Sequence, residues 1–177
     1  MAGLGYAGIQ KKKAAEAASA KATAEADDSN TVTWQGKTYK YNQNLSNYLL
    51  LGVDKRTPVE TRVGKADAGQ ADALFLLSLN RKTKEMTLIS IPRDTMTDVE
   101  SFDLEGKSLG KSKDHISLSY GYGDGGAESC KLTQEAVSNL FYGLPIQGYL
   151  AMNLDGIPEL TKSVGGLTVT VPNNSLE

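Results

Sequence analysis

Apolar and polar positions change rhythm along this chain, and the changes predict its elements. "TVTWQGKTYKYN" alternates on both sides of Gln35-Gly36, with Val32 and Trp34 before the pair and Tyr39 and Tyr41 after it. Period-two alternation around a short glycine-containing turn predicts a β-hairpin. "NYLLLGVD", from Asn47 to Asp54, is a continuous apolar run. Such a run predicts a central strand covered on both faces. A polar loop follows, over residues 55–71. "ALFLLSLN" and "EMTLISIP" then predict two antiparallel neighbours joined through "RKTK". Pro92 cannot donate to a ladder, so the second strand ends there, at the sheet edge, and presents Arg93 and Asp94.

The rhythm is lost from Asp98 to Gly126, a stretch rich in glycine and serine that ends in "YGYGDGG". It predicts a long loop, and loops of that length are often functional. A helix begins near Ala127 or Glu128. Thr133, Ala136, Val137, Leu140 and Phe141 fall on one face of it, and Gly143 and Pro145 end it. "GYLAMN" predicts a short strand and "GIPELTKSVGG" a short helix. "LTVTVP" predicts a last strand closed by Pro172. Helices alternating with strands give an α/β fold, a mixed central β-sheet flanked by helices in layers. A sheet whose last strand lies this close to Glu177 reads as incomplete at the C-terminal end.

Before the hairpin, residues 11–29 are alanine-rich with charges of both signs and no apolar stripe. Alanine favours helix, but nothing here would pin one to a core. The expected organisation is a linker or stalk over residues 1–30 and a domain over residues 31–177. The formal charge of −2 leaves no basic surplus of the kind nucleic-acid binders carry. No run of roughly 18 apolar residues predicts a membrane-spanning helix. A single cysteine, Cys130, excludes an internal disulfide. It reads as a small apolar residue on a helix face, and a lone Cys130 with a lone His115 makes no nucleophile pair.

Three acids stand at strand boundaries: Asp54 after "LLLGV", Asp72 before "ALFLL" and Asp94 after "ISIPR". Ligands of α/β sheets usually bind at strand ends. If Asp54 and Asp72 converge, a Mg²⁺ or Mn²⁺ ion between them would relieve their repulsion. Arg93 nearby would suit a phosphate, because its planar fork binds two oxygens at once. The plainer alternative is that these aspartates cap turns and that Arg93 and Asp94 satisfy loop backbone. "YGYGDGG" is likewise a connector before it is a phosphate nest.

Taken together, "NYLLLGVDKR", "ADALFLLSLNRKTKEMTLISIPRDT" and "HISLSYGYGDGGAESCKLTQEAVSNLFYGLPIQGYLAMNLDGIPELTKSVGGLTVTVP" resemble the LytR-CpsA-Psr family, from about Tyr41 to Pro172. The resemblance implies a bacterial protein anchored in the cytoplasmic membrane with its catalytic domain on the extracellular face. It implies a Mg²⁺-dependent phosphotransferase of cell-wall assembly. The donor would be a glycopolymer such as teichoic acid or capsule on a polyprenyl-pyrophosphate carrier, and the acceptor peptidoglycan. The family's older label of transcriptional attenuator finds no support in the balanced charge. Matched to the family's motifs, Asp54 and Asp72 would hold Mg²⁺ (or Mn²⁺), Arg93 would grip the pyrophosphate, and Asp94 would orient Arg93 or its loop. The polyprenyl tail would need an apolar tunnel between sheet and helices.

The chain departs from the family's pattern at Gln70, where many relatives carry an arginine. Gln70 supplies a hydrogen bond but no charge, which leaves Lys65 or Arg56 to compensate. The family domain also continues past Glu177 with further arginines. The resemblance therefore implies the N-terminal half of the catalytic domain. Its alternatives are a non-catalytic domain that binds polyprenyl pyrophosphate or glycan, or a hydrolase that cleaves the pyrophosphate.

Overall fold

The computed structural model describes residues 30–56 and 58–170. The stub and alanine-rich stretch before them lie outside the described residues. The chain divides into two compact units, residues 1–43 and residues 44–177. In the first, β1 (Thr31–Trp34) pairs antiparallel with β2 (Lys37–Lys40). The turn residues Gln35 and Gly36 have φ of 48° and 74°. Two successive left-handed residues make the hairpin turn that matches strand twist, as the alternation around Gln35-Gly36 predicts.

The second unit is built on a four-stranded mixed sheet in the order β5-β4-β3-β8. β3 (Leu45–Val53) pairs antiparallel with β4 (Ala71–Asn80), and β4 antiparallel with β5 (Met86–Ile91). β8 (Gly148–Asn153) runs parallel to β3 on its other side. β3 is central, as its apolar run predicts, but only one of its faces is fully covered. Leu49, Leu51 and Val53 are buried, whereas Tyr48 on the alternate face is 39% exposed. Leu88 of β5 and Leu150 of β8 are exposed as well.

The covered face packs against helix α2 (Ala127–Leu140), where Cys130, Thr133, Ala136 and Val137 are buried. Leu140 and Phe141 lie against the same core. These are the positions that helical spacing selects.

The stretch 98–126 is not a loop. It holds most of a hairpin of β6 (Met96–Phe102) and β7 (Ser108–His115), then a short helix α1 (Leu118–Gly121). The hairpin gains its place through β6, which lies against α2. Val99 is buried, the Thr97 hydroxyl donates to the Ala136 carbonyl at 3.3 Å, and the Asn139 amide donates to the Asp98 carbonyl at 2.9 Å. So few apolar anchors in a serine- and glycine-rich run gave no readable period.

"LTVTVP" is corrected too. Residues 167–170 form no strand, and Leu167 and Val169 are exposed. Among the described residues, β8 pairs only with β3, and a strand exists only where a neighbour takes its ladder bonds. The helix before that segment, α3 (Gly156–Ser163), forms as its sequence predicts and lies along β8 without burying any residue.

Candidate functional site

Strand directions gather the acids at one edge. β3, β5 and β8 run the same way, so Asp54, Arg93-Asp94 and Asn153 stand at their carboxyl ends. β4 runs the opposite way and begins there, with Asp72 its second residue. The β3–β4 register shifts at this point: Gly52 faces Ala73, but Val53 faces Ala71. Asp72 is the extra residue of a β-bulge, a device that re-aims a side chain at a sheet edge. Gly52 permits the close pairing, since a Cβ there would lie 2.9 Å from the Ala73 Cβ.

Arg93 and Asp94 are the central residues of a turn in which the Thr95 N–H donates to the Pro92 carbonyl at 3.0 Å. The turn's own carbonyls are used next. Arg93 accepts from the Ser117 N–H at 3.2 Å, and Thr95 from the Ile116 N–H at 2.9 Å. The side chains are therefore carried on backbone that is tied on both sides. The Arg93 Nη1 donates to Asp72 Oδ1 at 2.6 Å, and its Nε lies 3.6 Å from Asp94 Oδ1. Asp94 Oδ1 also meets His115 Nδ1 at 3.3 Å. Arg93 is held between two carboxylates, with no protein partner for Nη2 among the described residues. Asp94 lies between Arg93 and His115.

Asp54 is fixed from the loop ahead of β4. Its Oδ1 accepts the Gln70 N–H at 2.8 Å, and its own N–H donates to the Gln70 carbonyl at 3.1 Å. Gly69, with φ of 101°, makes this approach possible: a Cβ would lie 2.7 Å from Asp54 Oδ1. Gln70 thus serves the site through its backbone. The two cations expected to compensate for it have other partners or only backbone bonds among the described residues. Arg56 pairs with Asp155 at 3.5 Å, both largely exposed. The exposed Lys65 makes only a backbone bond to Arg62 among the described residues.

Asp54 and Asp72 line one cleft of about 330 Å³, together with Gly52, Ala73, Asn153 and Ile157. Each keeps its Oδ2 free of protein donors among the described residues. No third acid, histidine or cysteine joins them in a ligand cluster among those residues. Two carboxylates without a complete protein cage suit Mg²⁺, which keeps waters and shares substrate phosphates, better than zinc. A second cavity, of about 380 Å³ and mostly apolar, shares Val53, Met152 and Asn153 with the lining of the first. It lies where the sheet meets Tyr120 and Cys130. Burial pushes the Tyr120 hydroxyl up to about 12 and the Cys130 thiol up to about 11, with Asp124 adding to each. Cys130 is therefore a wall residue rather than a nucleophile.

"YGYGDGG" is a helix entry. Asp124 Oδ1 accepts from the N–H groups of Gly126, Glu128 and Ser129 at 2.8, 3.1 and 3.3 Å. The start of α2 is filled by the chain's own carboxylate, as the connector reading has it. Sequence reasoning missed two residues near the site. His115 carried no signal beyond being the lone histidine. Lys55 stood beside Asp54 unremarked.

The profile of the LytR_cpsA_psr family matches residues 6–177. The chain is 32% identical over 129 residues to the polyisoprenyl-teichoic acid–peptidoglycan teichoic acid transferase TagU of Bacillus licheniformis, covering 72% of this chain and 35% of that one. It is 32% identical over 161 residues to the TagU of Bacillus cereus, covering 84% and 45%. The chain thus spans less than half the length of these curated relatives. Among solved structures, it superposes on B. subtilis TagV with a TM-score of 0.51 and 29% identity, over 75% of this chain and 45% of that one. It superposes on protein gbs0355 of Streptococcus agalactiae with a TM-score of 0.53 and 26% identity, over 74% and 40%. A family profile covering nearly the whole chain, with the expected mixed sheet beneath it, makes this protein a member of the LytR_cpsA_psr family.

Proposed function

We propose that this chain is the donor-binding part of a phosphotransferase that moves a glycopolymer from a polyprenyl-pyrophosphate carrier to peptidoglycan outside the cell. The observation that carries the reading is the convergence of Asp54, Asp72 and Arg93 on one sheet edge beside an apolar cavity. A pyrophosphate needs cations, and a prenyl chain needs hydrocarbon. Here both are built at the same end of the sheet, with Val53, Met152 and Asn153 in both linings. The relatives' printed names, teichoic acid transferases acting on a polyisoprenyl-linked donor, supply the substrate class.

Bound by Asp54 and Asp72, Mg²⁺ (or Mn²⁺) would neutralise pyrophosphate charge. Arg93 would bind a phosphate oxygen through its open Nη2 while Asp72 and Asp94 hold its plane. In the transfer, a peptidoglycan hydroxyl oxygen bonds to the phosphorus that carries the glycan. The bond from that phosphorus to the bridging oxygen breaks, and polyprenyl phosphate leaves. The hydroxyl proton passes to solvent or to the departing phosphate. The family's membrane anchoring is part of this proposal. Among the described residues no helix is long and apolar enough to cross a membrane.

A non-catalytic binding domain is favoured by one observation: Gln70 meets Asp54 through its backbone, and its side chain brings no charge to the site. The test incubates the protein with a lipid-pyrophosphate-linked glycan, a peptidoglycan oligosaccharide and Mg²⁺, and analyses products by mass spectrometry. Transfer predicts a glycan–phosphate–peptidoglycan diester that Asp72→Ala abolishes. Free phosphate-bearing glycan would mean hydrolysis. An unchanged donor that still binds the protein would leave the binding domain.

A further inference from the structure

We infer that the Lys55 ammonium is a phosphate contact at the lip of the apolar cavity, selecting ligands that join an anionic head to a hydrocarbon tail. The inference rests on the lipid-carrier reading and deepens it, because it assigns the phosphate nearest the lipid to a residue of its own.

Lys55 lines the apolar cavity, not the carboxylate cleft. It is half-buried, and its position is fixed at both ends. Its carbonyl accepts the Leu154 N–H at 2.9 Å. Its stem lies along Gly69, where an added Cβ would come within 2.9 Å of Cγ and 3.0 Å of Cε. Lysine stems commonly lie along apolar surface while the charged head reaches for water or an anion. Neighbouring charges do not meet this head. Arg56 is paired with Asp155, and Arg93 with Asp72 and Asp94. Among the described residues, no carboxylate forms an ion pair with Lys55. An ammonium without an anionic partner among the described residues can take a phosphate through a charge-assisted hydrogen bond.

The cavity behind it decides what else the ligand must carry. At about 380 Å³ it falls in the roughly 300–1,000 Å³ range of small-molecule sites. Val53, Val59, Ala68, Ala151 and Met152 give it hydrocarbon walls. The Tyr120 hydroxyl already donates to the Gly125 carbonyl at 2.9 Å, so it does not compete for a polar ligand body. A ligand seated here places a phosphate at Lys55 and its first hydrocarbon units inside.

Calorimetry with geranyl phosphate, geraniol and inorganic phosphate tests this on the unaltered chain, Lys55→Met and Lys55→Arg, each checked for an unchanged melting curve. The unaltered chain is expected to bind geranyl phosphate about tenfold or more tighter than either half-ligand. Lys55→Met should lose about tenfold or more of that affinity, the scale of one charge-assisted hydrogen bond, with geraniol binding unmoved. Lys55→Arg should retain most of it. Equal geranyl phosphate binding by the unaltered chain and Lys55→Met would overturn the assignment of Lys55 alone. No geranyl phosphate binding by the unaltered chain would overturn this inference together with the lipid-carrier reading.

Discussion

Asp54 stands where the chain leaves strand β3 and Asp124 where it enters helix α2, each close to glycines, and each accepts backbone N–H through one carboxylate oxygen. Asp124 gathers three of them at the start of α2. Burial acts to raise its carboxyl pKa, but these N–H groups outweigh burial and hold it below the ordinary value. Asp54 accepts one, from Gln70, and turns toward a cleft it shares with Asp72 and, through Asp72, with Arg93. The first corner uses its polar groups on itself. The second leaves carboxylate oxygens and a guanidinium nitrogen available to a ligand. A glycine-flanked aspartate thus says little in sequence. What distinguishes a site from a cap is whether the surrounding donors and acceptors are already consumed.

The difference should break most sharply at the glycines. Gly125 has φ of 81°, and a Cβ there would sit 1.7 Å from the Val59 carbonyl oxygen. Gly125→Ala combines left-handed strain with a backbone clash, and should cost about 3 kcal/mol or more. For a unit of this size that lowers the melting midpoint by roughly 10 °C, read by circular dichroism. At the other corner the ion pair is half-exposed, so Arg93→Ala should cost only about 0–1 kcal/mol of stability. Its effect should fall on function instead. Binding of a prenyl pyrophosphate should weaken about tenfold to a hundredfold, the scale of a charge-assisted contact to an anion. Equal losses of stability at both corners would erase the distinction.

Much of this contrast was legible before any coordinates. The apolar run at Leu49–Val53 and the helical spacing of Thr133, Ala136 and Val137 mark a sheet and the helix that covers it, because burial enforces periodicity. Asp54, Asp72 and Arg93 were legible as strand-end residues, and their family pattern named them. The bulge that aims Asp72 was not, since register depends on a neighbour rather than on the strand itself. The hairpin of β6 and β7 was hidden because its contacts with α2 run through Thr97 and Asn139 rather than through an apolar stripe. Lys55 and His115 were silent for the same reason: their surroundings come from elements distant in sequence.

The smallest effect lies at Asp124, and its pH dependence separates a cap from a site. Asp124→Ala removes the acceptor for three N–H groups at a helix start and should cost about 1 kcal/mol at neutral pH. Prenyl pyrophosphate affinity should be unchanged, because the carboxylate faces its own helix. The folded pKa lies below that of an ordinary carboxylate, so the contribution is fully present above the ordinary value. It is lost as pH falls through the folded pKa. Urea midpoints of the unaltered chain and Asp124→Ala should therefore differ at neutral pH and draw together as the pH falls below the ordinary carboxylate range. A gap that persists undiminished in acid would mean that a neutral carboxyl caps α2 equally well. A gap that appears in ligand affinity instead would place Asp124 among the residues that meet the substrate, and the contrast with Asp54 would fail.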